Sequence, residues 1–225
     1  MRSHSFVSSV RVSRGDPFSS CKVGAYHNIA TDSSAAKTAV EPALAVDPST
    51  PGHWIGVWQQ DRWIDSDGGA RGLVAAYTFD AGKTWKESPV PFDRCTPGGL
   101  PYNRASDPSM AIGPDGIAYF AGVAFTEVRH ATHKVGELES STIAVASSRN
   151  GGIGWSRPVP LGADKSRPFS NDKVWVTADP VKPRTAYVVW DRYDTVGTSG
   201  SVRFSKTSDG GRTWSRPRAI LKQPT

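Results

Sequence analysis

Long apolar runs are absent from this 225-residue chain, and no stretch approaches the roughly 20 consecutive apolar residues that a membrane-spanning helix needs. No membrane partner is expected. The N-terminus, Met1-Arg2-Ser3-His4-Ser5-Phe6, lacks the apolar core of a secretory signal, so a secreted protein would carry that signal upstream. Helical periodicity is missing as well; a segment such as Ser33 to Thr38 is too short to count. Cysteine is scarce. Cys21 and Cys95 both lie in Pro- and Gly-containing loops, and the expected pairing is a disulfide that ties the N-terminal extension to the first repeat, with two free thiols as the alternative. The formal charge is only +6, and basic residues are spread over the loops. They crowd only at Arg203, Lys206, Arg212, Arg216, Arg218 and Lys222, so no nucleic-acid partner is expected.

No residue pattern implies a cofactor or a metal. Asp65-Ser66-Asp67-Gly68 begins like a calcium loop, but the twelfth position is Ala76 rather than Glu. His130, His133 and Glu137 have no helix to align them as zinc ligands.

What the chain does contain is a turn that occurs three times: Thr78-Phe79-Asp80-Ala81-Gly82-Lys83-Thr84-Trp85, Ser148-Arg149-Asn150-Gly151-Gly152-Ile153-Gly154-Trp155 and Thr207-Ser208-Asp209-Gly210-Gly211-Arg212-Thr213-Trp214. A hydroxyl residue, then Asp or Asn, then Gly, then Trp recur at fixed offsets. The carboxylate or amide accepts hydrogen bonds from turn amides, Gly supplies positive φ, and Trp leaves the turn to pack between sheets. A second motif recurs between the turns, headed by Glu41, Asp107 and Asp172, each opening a short apolar run that ends in a turn. Strand-length runs follow at His53 to Trp58, Ile117 to Phe125 and Thr185 to Trp190.

Each unit therefore reads as four short antiparallel strands, A to D, with apolar residues on both faces, which suits sheets that stack on their neighbours. The predicted fold class is all-β, a β-propeller of four-stranded antiparallel blades. Residues 1–40 read as an N-terminal extension and 41–225 as a partial propeller, with blades at about 41–105, 106–170 and 171–225.

The three turns resemble Asp-boxes, the repeats of bacterial neuraminidases and related sialidases, and the resemblance covers most of residues 41–217. It implies a six-bladed propeller, of which about three blades are present, so the chain is expected to be a fragment whose remaining blades lie elsewhere. Asp80, Trp85, Asn150, Trp155, Asp209 and Trp214 are then scaffold residues on the face opposite the ligand site.

On the ligand face the B-to-C and D-to-A loops are polar. The resemblance places a general acid in the loop after the first strand B, where Asp61 and Asp65 flank the matching spacing, with Arg62 to position substrate. Asp65, Asp61 and Arg62 are the catalytic candidates. Trp63, Arg71, Tyr102, Arg104, Asp107, Asp172, Asp191 and Arg192 are the substrate-binding candidates, with Trp63 or Tyr102 as a sugar-stacking platform. The arginine with which sialidases grip a sugar carboxylate aligns with Val40, and Glu41 beside it would repel an anionic sugar. The nucleophile, a Tyr activated by a Glu, falls beyond Thr225, so the chain alone is expected to be inactive.

Two functions follow from the resemblance. One is the N-terminal part of a secreted, extracellular sialidase-like glycoside hydrolase that removes terminal sugars from glycans. The other is a non-catalytic propeller that binds glycan or protein on the same face.

Overall fold

The computed structural model describes residues 9–21, 34–63, 68–128, 137–164, 169–194 and 199–222. Twelve strands are present among them and no helix: β1 (Ser34–Val46), β2 (Trp54–Trp63), β3 (Ala70–Thr78), β4 (Lys86–Val90), β5 (Arg104–Ile112), β6 (Ala118–Val128), β7 (Glu137–Ser148), β8 (Val159–Pro160), β9 (Phe169–Ala178), β10 (Ala186–Asp194), β11 (Gly200–Thr207) and β12 (Arg218–Lys222). They form three antiparallel meanders of four strands, β1 to β4, β5 to β8 and β9 to β12, the first two joined by a single bridge between Ala70 and Ala105. These are propeller blades. The first strand begins at Ser34, so residues 34–40, read from sequence as extension, belong to the sheet.

Strand alternation explains the stacking. Odd positions of β2 and β3, Ile55, Val57, Leu73 and Ala75, meet Met110, Ile112, Phe120, Ala144 and Ala146 of the second blade. The opposite face of that blade, Tyr119, Val123, Ile143 and Val145, packs on Val174, Val176, Val188 and Trp190 of the third. Each strand thus carries apolar residues on both faces, the pattern expected when a sheet is covered on two sides. The first strands of the blades are innermost: β1 lies against β5, and β5 against β9.

The repeated turns close the β3–β4, β7–β8 and β11–β12 connections. Asp80 accepts hydrogen bonds from the Thr78 hydroxyl (2.7 Å), the Thr84 amide (2.9 Å) and the Thr84 hydroxyl (2.7 Å). Asp209 repeats this with Thr207 and Thr213, and Asn150 with Ser148 and the Gly154 amide. The hydrogen bonds from Thr84 and Thr78 hold the Asp80 carboxyl at about 2. Trp155 and Trp214 leave their turns to pack edge-on against Phe120 and Tyr119. Turns also touch the next blade, since His53 Nε2 lies 3.0 Å from the Gly151 carbonyl and Arg149 donates to the Gly210 carbonyl. These groups are consumed by structure, at the end of the blades opposite the β2–β3 connection.

The N-terminal residues 9–21 pack on the outer face of the first blade. Phe18, 1 % exposed, lies against Trp58, Val74 and Ala76, and Cys21 is bonded to Cys95. A tether across 74 residues of sequence removes unfolded-state entropy worth about 4 kcal/mol.

Candidate functional site

The site grows out of a backbone irregularity repeated in the three innermost strands. β1, β5 and β9 each carry a residue with left-handed backbone: Glu41 (φ 53°), Asp107 (φ 52°) and Lys173 (φ 48°). Pairing registers shift around each of them, between Val40 and Ala43, between Ser106 and Ser109, and opposite Val189 to Asp191. These are β-bulges, which re-aim side chains, and a non-glycine residue held at positive φ stores strain that the surrounding sheet must offset.

The re-aimed side chains join into one hydrogen-bonded array across the three blades. Arg62 Nη1 donates to Glu41 Oε1 (3.1 Å) and to Gln59 Oε1 (2.8 Å). Gln59, fully buried, donates through Nε2 to Glu41 and to Ser106 Oγ (3.0 Å). Ser106 donates to Asp107 Oδ1 (2.9 Å), and the Lys173 amide donates to both Asp107 Oδ2 (3.0 Å) and Asp172 Oδ1 (2.8 Å).

Two carboxyls meet at the end of this array. Burial, then the hydrogen bond to Asp107 and its charge, push Asp172 up to about 6. Burial opposes ionisation of Asp107 too, but hydrogen bonds from Asp172, Ser106 and the Lys173 amide outweigh it and hold Asp107 below the usual carboxylate value. Below about pH 6 the two carboxyls therefore hold one proton between them, the arrangement that a like-charge pair enforces. Such a pair can donate a proton, accept one, or bind hydroxyl groups.

The residues nominated from sequence divide sharply. Arg62, Asp107 and Asp172 enter the array, and exposed Asp191 pairs with Asp172 in the sheet register. Asp65 lies outside the described residues, as do His130 and His133. Asp61 is 2 % exposed, sits at φ 61° and accepts hydrogen bonds from the Lys37 amide (2.7 Å) and Gln60 (2.8 Å). Burial is the main cause raising its pKa, with Asp16 adding to the shift.

Trp63 is not a sugar platform. It is 1 % exposed, with the guanidinium groups of Arg71 and Arg104 4.7 and 4.4 Å from its ring, so protein groups rather than solvent surround it. Arg104, 0 % exposed and ion-paired with Glu127 (3.1 Å), is not a substrate-binding residue either. Arg71 donates to the Cys21 carbonyl. Arg192 is held by both oxygens of Asp164 (2.9 and 2.7 Å) and lies over the Phe169 ring. Tyr102 is half-buried against the core between the first two blades, and burial raises its pKa.

Sequence reasoning passed over Gln59 and Ser106. The available signal was a polar residue inside an otherwise apolar strand, and a hydroxyl directly before a motif Asp. No group of three or more His, Cys, Asp or Glu among the described residues is arranged to hold a metal.

No protein-family model matches the sequence, and no curated protein matches it. Solved structures match by fold. The α-L-arabinanase of Penicillium chrysogenum, complexed with arabinobiose, superimposes with a TM-score of 0.57 at 18% identity, over 86% of this chain and 52% of that one. A Hadza microbial sialidase gives 0.54 at 16% identity, over 83% of this chain and 38% of that one. An α-L-arabinofuranosidase of Fusarium graminearum, also with arabinobiose, gives 0.54 at 17% identity, over 82% and 49%. The chain spans about half the length of these enzymes or less, and at such identities the shared property is the fold: an all-β propeller of the kind on which these glycoside hydrolases are built.

Proposed function

We propose that this chain forms part of a sialidase-like glycoside hydrolase with Asp-box turns, acting outside the cell on the terminal sugars of glycans. The observation that carries the reading is the Asp107–Asp172 pair at the end of the inner-strand array. A carboxyl kept protonated to about pH 6 suits general-acid donation to a glycosidic oxygen, and an ionised neighbour suits stabilisation of developing positive charge. Arg62 and Glu41, partly exposed, supply planar donors and acceptors of the kind that orient sugar hydroxyls. The Cys21–Cys95 disulfide supports an oxidising compartment. Two of the solved relatives by fold hold arabinobiose, which supports a carbohydrate ligand.

The second reading is a propeller that binds glycan or protein without cleaving it. One observation favours it: Arg62, Arg71, Arg104 and Arg192, the arginines nominated from sequence, are all engaged by protein groups.

The test is hydrolysis of a fluorogenic panel of sialosides and neutral glycosides by the protein with its complete propeller, its Asp172→Asn variant and its Asp65→Asn variant. A loss of at least a hundredfold in kcat for Asp172→Asn, on any glycoside, supports the acid assigned here. The same loss confined to Asp65→Asn returns that role to the β2–β3 connection. No turnover on any substrate by folded protein leaves the binding reading.

A further inference from the structure

The three blades can be compared position by position through their bulges. Ala43 pairs with Val57, Ser109 with Ala121 and Trp175 with Val189, so Trp58, Gly122 and Trp190 are equivalent and point to the rear of their blades. Beside them on the third strands stand Val74, Ala144 and Arg203, and two residues further Ala76, Ala146 and Ser205. In the second and third blades this rear surface is sealed by the preceding blade except at half-buried Arg203, with Ala144, Ala146 and Ser205 at 0 % exposure and Trp190 at 2 %. In the first blade Trp58, Val74 and Ala76 are equally sealed, at 5 %, 0 % and 0 %, and what covers them is Phe18. The inner half of the same face is bare. Leu44 and Val46 are 59 % and 48 % exposed, whereas their equivalents Met110 and Ile112 are at 9 %.

The segment that carries Phe18 is fixed at several points. The Arg14 and Gly15 amides donate to the Glu87 carboxylate, Arg71 donates to the Cys21 carbonyl, and the disulfide joins Cys21 to Cys95. The Phe18 ring also lies where a Cβ on Gly72 would stand.

We infer that residues 9–21 are a disulfide-clamped strap that takes the place of a preceding blade on the outer rear face of the first blade.

Amide exchange followed by mass spectrometry on the 225-residue chain tests this. Dithiothreitol, a dithiol, reduces the disulfide by supplying two electrons and two protons, leaving the Cys21 and Cys95 thiols and a cyclic disulfide of the reagent. Exchange within residues 54–63 and 70–78 is expected to quicken at least tenfold, with residues 186–194 and 200–207 unchanged. Phe18→Ser, with the disulfide intact, should do the same. Unchanged exchange in both cases overturns the strap, and so does an equal rise in the third blade, which would make the tether a support of the whole fold. None of these readouts depends on hydrolysis, so an inactive complete propeller would sink the glycosidase reading and leave the strap standing.

Discussion

The carboxyl groups of Asp107 and Asp172 meet across the seam between the second and third blades at the Lys173 amide, which donates to both. Each side chain is placed by a bulge in an inner strand, so the pair exists only because two separate blades carry the same backbone irregularity in register.

That pair gives stability a pH signature. An Asp whose folded value is raised binds its proton more tightly folded than unfolded, so its contribution is fully present below about pH 4 and is lost as the pH rises through about 6. The melting temperature of Asp172→Asn is expected to gain on that of the wild type over this window, by a few degrees. Thermal melts at half-unit pH steps check it; parallel curves would place the shared proton elsewhere.

Asp93 should show the same sign over a wider range. It is 0 % exposed, accepts from the Cys95 and Thr96 amides through Oδ1, and burial pushes it up to about 7 despite those bonds. Stability held by its neutral form is present below about pH 4 and declines until the pH passes about 7. Asp93→Asn is expected to raise stability at pH 8 by on the order of 2 kcal/mol and to be near neutral at pH 4, measured by urea denaturation at each pH.

Gly72 is boxed in from the strap side. A Cβ there would stand 2.4 Å from Asp93 Oδ2 and 2.5 Å from the Phe18 ring. Gly72→Ala is expected to cost about 2 kcal/mol through overpacking, read as a lowered denaturation midpoint. A neutral outcome would mean that the strap yields freely.

Arg104 is a structural cation, and its removal separates that role from substrate binding. Arg104→Met leaves Glu127 as a buried charge without its ion-pair partner and is expected to cost about 4 kcal/mol, while Arg104→Met with Glu127→Met recovers most of the loss. Chemical denaturation of the two variants decides it. A residue that served only to grip substrate would leave the unfolding curve in place.

Legibility from the sequence followed the range of the interactions. The repeated turns could be read directly because Asp80, Asn150 and Asp209 bond within four residues of themselves, and a local pattern of hydroxyl, carboxylate or amide, and glycine is enough to specify such a turn. Their recurrence, together with strand-length apolar runs on both faces, determined an all-β stack of four-stranded blades. The cysteine pairing was legible for a related reason, since two cysteines allow a single intrachain bond.

Tertiary structure alone decided which polar residues are available. Gln59 and Ser106 lie 47 residues apart in sequence, Lys173 and Asp107 66 apart, and Arg192 and Asp164 28 apart. Trp63 and Arg104, attractive as loop groups for sugar, are sealed against one another, and an N-terminal segment with no strand pattern covers a face that a blade covers elsewhere. A side chain's type is written in the chain, but whether it is free, protonated or spent depends on which distant groups packing brings within about 3 Å, where desolvation and a neighbouring charge outweigh its intrinsic chemistry.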